Sequence, residues 1–326
     1  MDMTALAPLT WARALGTWRF GPVTDVIVVV AAVLYLHRAY RTLPRQGQAW
    51  PVGRTASFLG ALVVLAITLQ SAIDVYGHEL FWLHMIEHLL LIMVVPVLVI
   101  LGQPVRLVYT GDDAVARRTA AALRGRVVSF LTFPLVGLVL YAAVLVGTHL
   151  FGFLPAMVAH PWLHYVEIVL YLVSGYLFFV PLLVHEPIKR ELSYPLRVFL
   201  LLVGMTADTV VGVLLMIQAH AIDFAHRSWG PSPLSDLHTG GGIMWVVGDG
   251  LMFGVTVLVV GAWMRDTERQ NDTGKWLEAA RRSTLANLGV DAVDADDDNA
   301  RIDDDDAALA AYNRMLAKLN QRAEGR

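Results

Sequence analysis

Seven long apolar stretches dominate this chain of 326 residues. A transmembrane helix needs about 20 consecutive apolar residues to cross the hydrocarbon core of a bilayer. The stretches lie at about 23–40, 55–73, 82–101, 127–147, 162–184, 196–217 and 241–263. Lys and Arg occur only at their ends, and 56% of the residues are hydrophobic while 16% are charged. The sequence therefore predicts an all-α, polytopic membrane protein with seven transmembrane helices.

Basic residues beside the stretches predict its orientation, because positively charged loops usually stay in the cytoplasm. Seventeen Lys and Arg residues lie in the loops after the first, third and fifth stretches or within about 20 residues after the seventh, and three lie on the other side. The N-terminus is then outside and the C-terminus inside. The predicted regions are an extracytoplasmic segment 1–22, a transmembrane domain 23–265 and an acidic cytoplasmic tail 266–326.

The two ends of the chain give weaker predictions. The N-terminus lacks a basic region followed by an Ala-x-Ala site, so no cleaved signal peptide is expected. The tail holds 14 of the 28 acidic residues, with acidic runs at 294–298 and 303–306. Such runs are usually solvated, so the tail is predicted to be partly helical or disordered.

A six-residue pattern occurs twice, at the predicted outer mouths of the third and fifth stretches. It reads WLHMIE at 82–87 and WLHYVE at 162–167. In both copies His precedes Glu by three residues, so the imidazole and the carboxylate share a helix face. Because both stretches enter from the same side, His84 and His164 should lie at equal depth. Ionisable groups inside a membrane segment are costly and are candidates for function.

The histidine pattern predicts a metal site near the outer surface. His88 follows His84 by four residues, so both imidazoles can bind one ion. Nine of the eleven histidines fall on the predicted outer side. The candidate ligands are His84, His88, His164, Glu87, Glu167, His149, His160, His238 and Asp236. The two glutamates could instead orient the imidazoles or accept protons.

Other residues near the ends of these stretches are predicted to have structural roles. Asp74 is interpreted as a cap of the second stretch, and His78 as a loop residue. Pro96 and Pro134 should kink their helices or mark helix ends. The run GGG at 240–242 allows either a tight entry into the last stretch or close helix contact.

Three functions remain open from these residues alone. The chain has no cysteine, so thiolate metal sites are excluded. Imidazole ligands suit copper, and imidazole with carboxylate also suits zinc. A copper-handling factor that is not an enzyme, a zinc hydrolase with Glu87 or Asp236 as base, and a b-type haem protein using His84 and His164 are all compatible. The sequence has no basic patch of the kind that binds a phosphate backbone, so nucleic-acid binding is not predicted.

The motif HMIEHLLL at 84–91 is followed by Pro96 and by LGQP at 101–104. Together these residues resemble the signature of the CtaG family of cytochrome c oxidase assembly factors. THL at 148–150 with HPWLH at 160–164 resembles a second family region, and SPLSD at 232–236 with GGGIMW at 240–245 resembles a third. After Asp236 the family often has Gln, where this chain has Leu237.

The resemblance covers about residues 23–265 and implies a function in oxidase maturation. It implies a multi-pass protein of the bacterial cell membrane that helps copper to reach the catalytic subunit of a haem–copper oxidase. The implied partners are an oxidase subunit, an extracytoplasmic copper source and the lipid bilayer.

Overall fold

The computed structural model describes residues 6–111, 113–183, 192–221, 227–287, 309–310, 312–315, 317 and 321. Over these residues the chain is helical and has no β-strand, apart from one isolated bridge between Trp18 and Ser71. The predicted all-α class is therefore confirmed. The helices are α1 (Trp11–Gly16), α2 (Pro22–His37), α3 (Val52–Gln70), α4 (Ala72–Gly77), α5 (Phe81–Leu89), α6 (Val95–Gly102), α7 (Pro104–Tyr109), α8 (Ala114–Leu123), α9 (Arg126–Leu131), α10 (Pro134–Leu150), α11 (Phe153–Ala159), α12 (Trp162–Leu183), α13 (Tyr194–Met216) and α14 (Pro233–Asn287).

Within the described residues, six helical segments are long and apolar enough to cross a membrane. They are Pro22–Gln46, Val52–Gln70, Phe81–Tyr109, Trp162–Leu183, Tyr194–Met216 and Pro233–Glu268. Each corresponds to one predicted stretch. The predicted stretch 127–147 is divided instead, because α9 ends at Leu131 and α10 begins at Pro134. Proline fits the first turn of a helix and disfavours helix at the residue before it, so Pro134 marks a helix start rather than a kink. The resulting apolar helix α10 has 17 residues.

The last span begins earlier than the sequence predicted. α14 starts at Pro233, so the three glycines at 240–242 lie inside the helix and not at its entry. A Cβ added to Gly241 would lie 2.8 Å from the carbonyl oxygen of Gly212 on α13, and one on Gly240 would overlap the ring of Phe81 on α5. These glycines therefore permit close helix packing, the second of the two predicted roles.

Asp236, near the start of α14, anchors the beginning of α5. Its carboxylate accepts hydrogen bonds from the backbone N–H groups of Phe81 at 2.9 Å and Trp82 at 3.1 Å. The guanidinium of Arg227 donates to the same carboxylate at 2.9 Å. A carboxylate at a helix N-terminus satisfies orphan donors and the helix dipole. The first copy of the repeated pattern is thus held in place by a residue far away in sequence.

Close packing between α12 and the α5–α6 segment brings the second copy beside the first. α5 continues into α6 through a π-helical turn at Leu90–Val94, a type of distortion that is frequent at functional sites. Gly175 on α12 faces the carbonyl oxygen of Ile92 in this turn, and a Cβ at Gly175 would overlap that oxygen. The missing side chain lets the two backbones approach.

Contacts divide the chain into two units, 1–259 and 260–326. In the second unit the guanidinium of Arg281 lies 4.6 Å from the ring centre of Tyr312. The helical part of the predicted tail includes the end of α14, up to Asn287. The acidic runs at 294–298 and 303–306 lie outside the described residues.

Candidate metal centre

The two copies of the repeated pattern meet in one buried cluster. α5 contributes His84, Glu87 and His88 from its first two turns, and α12 contributes His164 and Glu167 from its first two turns. All five side chains are buried, with Glu87 exposed by 0% and Glu167 by 1%. The ring centres of His84 and His164 are 6.2 Å apart. The structure therefore brings the two repeated histidines together, which their equal predicted depth allows.

The carboxylate of Glu167 lies at the centre of this cluster. One of its oxygens is 3.3 Å from Nε2 of His88. The other is 3.8 Å from Nε2 of His84 and 3.6 Å from Nδ1 of His164. Since Glu167 faces three imidazoles on two helices, a single ion bound to its carboxylate could also be reached by these rings.

The carboxylate of Glu87 joins the same two helices from the other side. One oxygen lies 3.3 Å from Nε2 of His164, and the other lies 3.8 Å from Nδ1 of His84. Gly77 packs directly against it, because a Cβ at that position would lie 3.2 Å from Oε2 of Glu87. Both glutamates of the repeat thus bridge histidines.

A chain of hydrogen bonds fixes the tautomer of His88. His149, at the end of α10, donates through Nδ1–H to the carbonyl oxygen of Leu145 at 2.8 Å. In the neutral ring its Nε2 then accepts, and it lies 3.3 Å from Nδ1 of His88, which donates to it. Consequently Nε2 of His88 presents a lone pair to the carboxylate of Glu167. Two acceptors facing each other require a cation between them, either a proton or a metal ion.

The structure places His149, another candidate ligand, against His88. Both of its ring nitrogens are engaged, one with a backbone carbonyl and one with His88. Such a partner orients a ligating imidazole and increases its basicity. The neighbouring Thr148 hydroxyl lies 2.7 Å from the hydroxyl of Tyr171, whose ring stacks on His88 at a centroid distance of 4.4 Å.

The donor set fits a metal ion. Among the described residues, all four carboxylate oxygens of Glu87 and Glu167 lack a hydrogen bond, as do both ring nitrogens of His164. Burying such groups without partners is costly, and burying a charge is more so. One donor atom each from His84, His88 and Glu167 lies within 4.8 Å of the others. A cation held there would compensate the buried carboxylates.

Three predicted ligands lie outside this cluster. His160 is exposed after the end of α11. His238, within α14, donates through Nε2–H to the carbonyl oxygen of Gln218, just after α13, at 2.9 Å. Asp236 caps α5 and pairs with Arg227, so its oxygens are used for structure.

Two residues beside the cluster, Asp74 and His78, were not among the ligands predicted from the sequence. Asp74 and His78 extend from α4 towards His164, and the three donor atoms lie within 4.8 Å of one another. Their spacing of four residues, the same as that of His84 and His88, was the available signal. Asp74 also forms an ion pair with Arg19 at 2.7 Å.

Comparisons with known proteins identify relatives. A model of the family described as cytochrome c oxidase caa3 assembly factor matches residues 33–266. Uncharacterized proteins of Mycobacterium bovis and Mycobacterium tuberculosis are each 32% identical over 327 residues, covering 96% of this chain and 46% of their own length. An uncharacterized protein of Mycobacterium leprae is 29% identical with the same coverage. The chain thus spans about half the length of the curated relatives it matches. No solved structure matches the chain.

Proposed function

The chain belongs to the cytochrome c oxidase caa3 assembly factor family, and we propose that it helps to mature cytochrome c oxidase by binding copper and delivering it to an oxidase subunit. The observation that carries the copper proposal is the pair of facing acceptors, Nε2 of His88 and Oε1 of Glu167 at 3.3 Å. A cation is needed between them, and nitrogen and oxygen donors on separate helices suit a transition metal.

His84, His88 and Glu167 would hold the copper ion, with His149 orienting His88. Copper would come from an extracytoplasmic source, because the distribution of basic residues predicts that the end carrying most of the histidines faces outwards. Three donors leave an open coordination position, and an open position allows a ligand of the receiving subunit to take the ion. A protein with this function needs exchangeable rather than permanent metal binding.

The same proposal includes a seven-span topology in the bacterial cell membrane, with α10 as the additional span. The N-terminus would be outside and the C-terminus in the cytoplasm, as the 17 basic residues on one side and three on the other favour. Because the chain has no cysteine, single cysteines report the topology directly. We expect a membrane-impermeant maleimide to label His220→Cys in intact cells and Arg118→Cys only after permeabilisation. The reverse labelling pattern would contradict the orientation.

Replacing His88 by Ala tests the copper proposal. In purified full-length protein we expect His88→Ala to weaken Cu(I) binding by about 100-fold or more, because it removes a ligand, and loss of an outer orienting partner already costs about 10–100-fold. Cu(I) affinity is measured by competition with a chromophoric chelator. In a host that lacks its own assembly factor, the variant should also lower the amount of active haem–copper oxidase in membranes.

His160→Ala is the matched control, since this histidine is exposed and lies outside the cluster. It should bind copper and support oxidase assembly like the unaltered protein. Equal copper affinity in His88→Ala and His160→Ala would remove the cluster from copper binding. Unchanged oxidase content with lost copper binding would separate the site from the assembly function.

A zinc hydrolase is the second candidate, because two histidines and one glutamate with an open position also make a hydrolytic zinc site. It is favoured only if protein from its native membrane contains zinc and hydrolyses lipid esters or amides in a metal-dependent reaction. The haem alternative has less support, because Glu87 and Glu167 occupy the space between His84 and His164.

A further inference from the structure

Asp74, His78 and His164 form a second group of metal donors beside the proposed copper site. Their donor atoms lie within 4.8 Å of one another, and none of the three belongs to the set of His84, His88 and Glu167. They come from two different elements, since Asp74 and His78 lie on and after α4 while His164 lies on α12. Each of these groups has enough donor atoms to hold one ion, so the cluster has more donors than a single ion requires.

The state of each donor is suited to ligation. His78 donates through Nδ1–H to the carbonyl oxygen of Asp74 at 2.8 Å, so its Nε2 keeps a lone pair for an ion. Arg19 holds Oδ2 of Asp74 at 2.7 Å, while Oδ1 faces Nε2 of His164 at 3.8 Å. The side chain of His164 is buried, with a relative exposure of 9%. Neither of its ring nitrogens has a hydrogen-bond partner among the described residues.

Exposure increases from the inner group to the outer one. His84, His88 and Glu167 are all buried, whereas His78 is exposed to solvent. The rings of His78 and His164 meet edge to face, with centroids 4.9 Å apart. An ion arriving from solvent can therefore meet His78 before any other ligand of the cluster.

His164 and Glu87 connect the two groups. Nε2 of His164 faces Asp74 and Oε1 of Glu87, while its Nδ1 faces Glu167. The second oxygen of Glu87 reaches His84 at 3.8 Å. An ion that moves between the groups consequently stays within reach of a carboxylate and an imidazole throughout, which lowers the cost of crossing between them.

We propose that Asp74, His78 and His164 form an outer metal site that takes the ion from solvent and passes it to the inner site of His84, His88 and Glu167. The transfer is a ligand exchange without a change in oxidation state. This inference rests on the proposed function for the identity of the cargo, and it adds a second ion-binding position and a direction of entry.

The experiment counts ions and measures loading rates in purified full-length protein, with Cu(I) as the probe. We expect the unaltered protein to bind two ions and His78→Ala to bind one, with loading of the remaining site slowed about tenfold or more. His88→Ala should also bind one ion, but load it at the unaltered rate. His78 is exposed, so its replacement should leave the thermal unfolding temperature unchanged. His160→Ala serves as control for loss of an exposed histidine.

The outcomes separate this inference from the proposed function. If His78→Ala binds as many ions as the unaltered protein and loads them equally fast, the outer site is refuted. If in addition His88→Ala removes the only bound ion, the inner copper site stands without the outer one. If neither substitution changes the number of bound ions, both proposals fail.

Discussion

Replacing Glu167 by Gln is expected to remove nearly all of the stabilisation that Cu(I) gives to this protein through the inner site of His84, His88 and Glu167. A ligand present at 100 times its Kd stabilises the folded state by about 2.7 kcal/mol. If the substitution weakens binding about 100-fold, the same copper concentration contributes only about 0.4 kcal/mol. The part of the copper-dependent rise in thermal unfolding temperature that comes from the inner site should therefore almost vanish.

The size of this effect follows from the position of Glu167. Its carboxylate faces His84, His88 and His164 at 3.3 to 3.8 Å, so no other side chain of the cluster contacts as many imidazoles. Gln has nearly the same shape but is neutral, and its NH₂ group donates hydrogen bonds instead of ligating. The substitution changes the charge and the donor atoms while leaving the packing of α12 intact.

Asp208→Asn is the matched control for Glu167→Gln. Asp208 is also a buried carboxylate on a helix that is long and apolar enough to cross a membrane, and it accepts a hydrogen bond from the hydroxyl of Tyr141 at 2.9 Å. It lies outside the cluster, so its amide variant should keep the full copper-dependent shift. Thermal unfolding in detergent, with and without Cu(I), makes the comparison. A full shift in Glu167→Gln would show that this carboxylate is not needed for copper binding.

The centre of the cluster could be predicted from the sequence because it depends on local regularities. Helical periodicity places His84, Glu87 and His88 on one face, and the alternating direction of the spans gives His164 the same depth. The structure brings these residues together. What remains a prediction is that they bind metal, because ligation depends on an ion and not on the fold alone.

The rim of the cluster could not be predicted in the same way. The second stretch was expected to continue to residue 73, which left Asp74 as a cap. In the structure Ser71 interrupts the helix and starts α4, accepting a hydrogen bond from the N–H of Ile73 at 3.2 Å. This break redirects Asp74 and His78 towards His164. Serine favours helix starts, but nothing nearby in sequence shows where a redirected helix will point.

Long-range contacts explain the other differences between sequence and structure. Asp236 looked like a ligand because it is an acid near the outer mouth, yet it caps α5 at a separation of 155 residues. His149 orients His88 across 61 residues. Residue type alone does not distinguish a ligand from the group that positions a ligand, because both need the same lone pairs and N–H groups.

Replacing Gly175 by Ala is expected to lower the stability of the fold and the metal affinity together. The added Cβ would overlap the carbonyl oxygen of Ile92 and lie 3.0 Å from Cγ of Pro96. Neither neighbour can rotate away, since one is backbone in the π-helical turn and the other is a ring. Overpacking of this kind costs about 1–3 kcal/mol. It would also move α12 away from α5, and so separate Glu167 from His88.

Gly254→Ala on α14 is the control, because a Cβ at this position meets no atom within 4 Å. Glycine inside a helix is less stable than alanine by about 0.5–1 kcal/mol, so this variant should unfold at the same or a higher temperature than the unaltered protein. The same substitution is thus expected to have opposite effects at two helical glycines. Thermal unfolding and Cu(I) affinity measured on both variants give the comparison. A Gly175→Ala protein that is as stable as Gly254→Ala and binds copper normally would mean that the close approach of α12 to the π-helical turn does not position the proposed metal site.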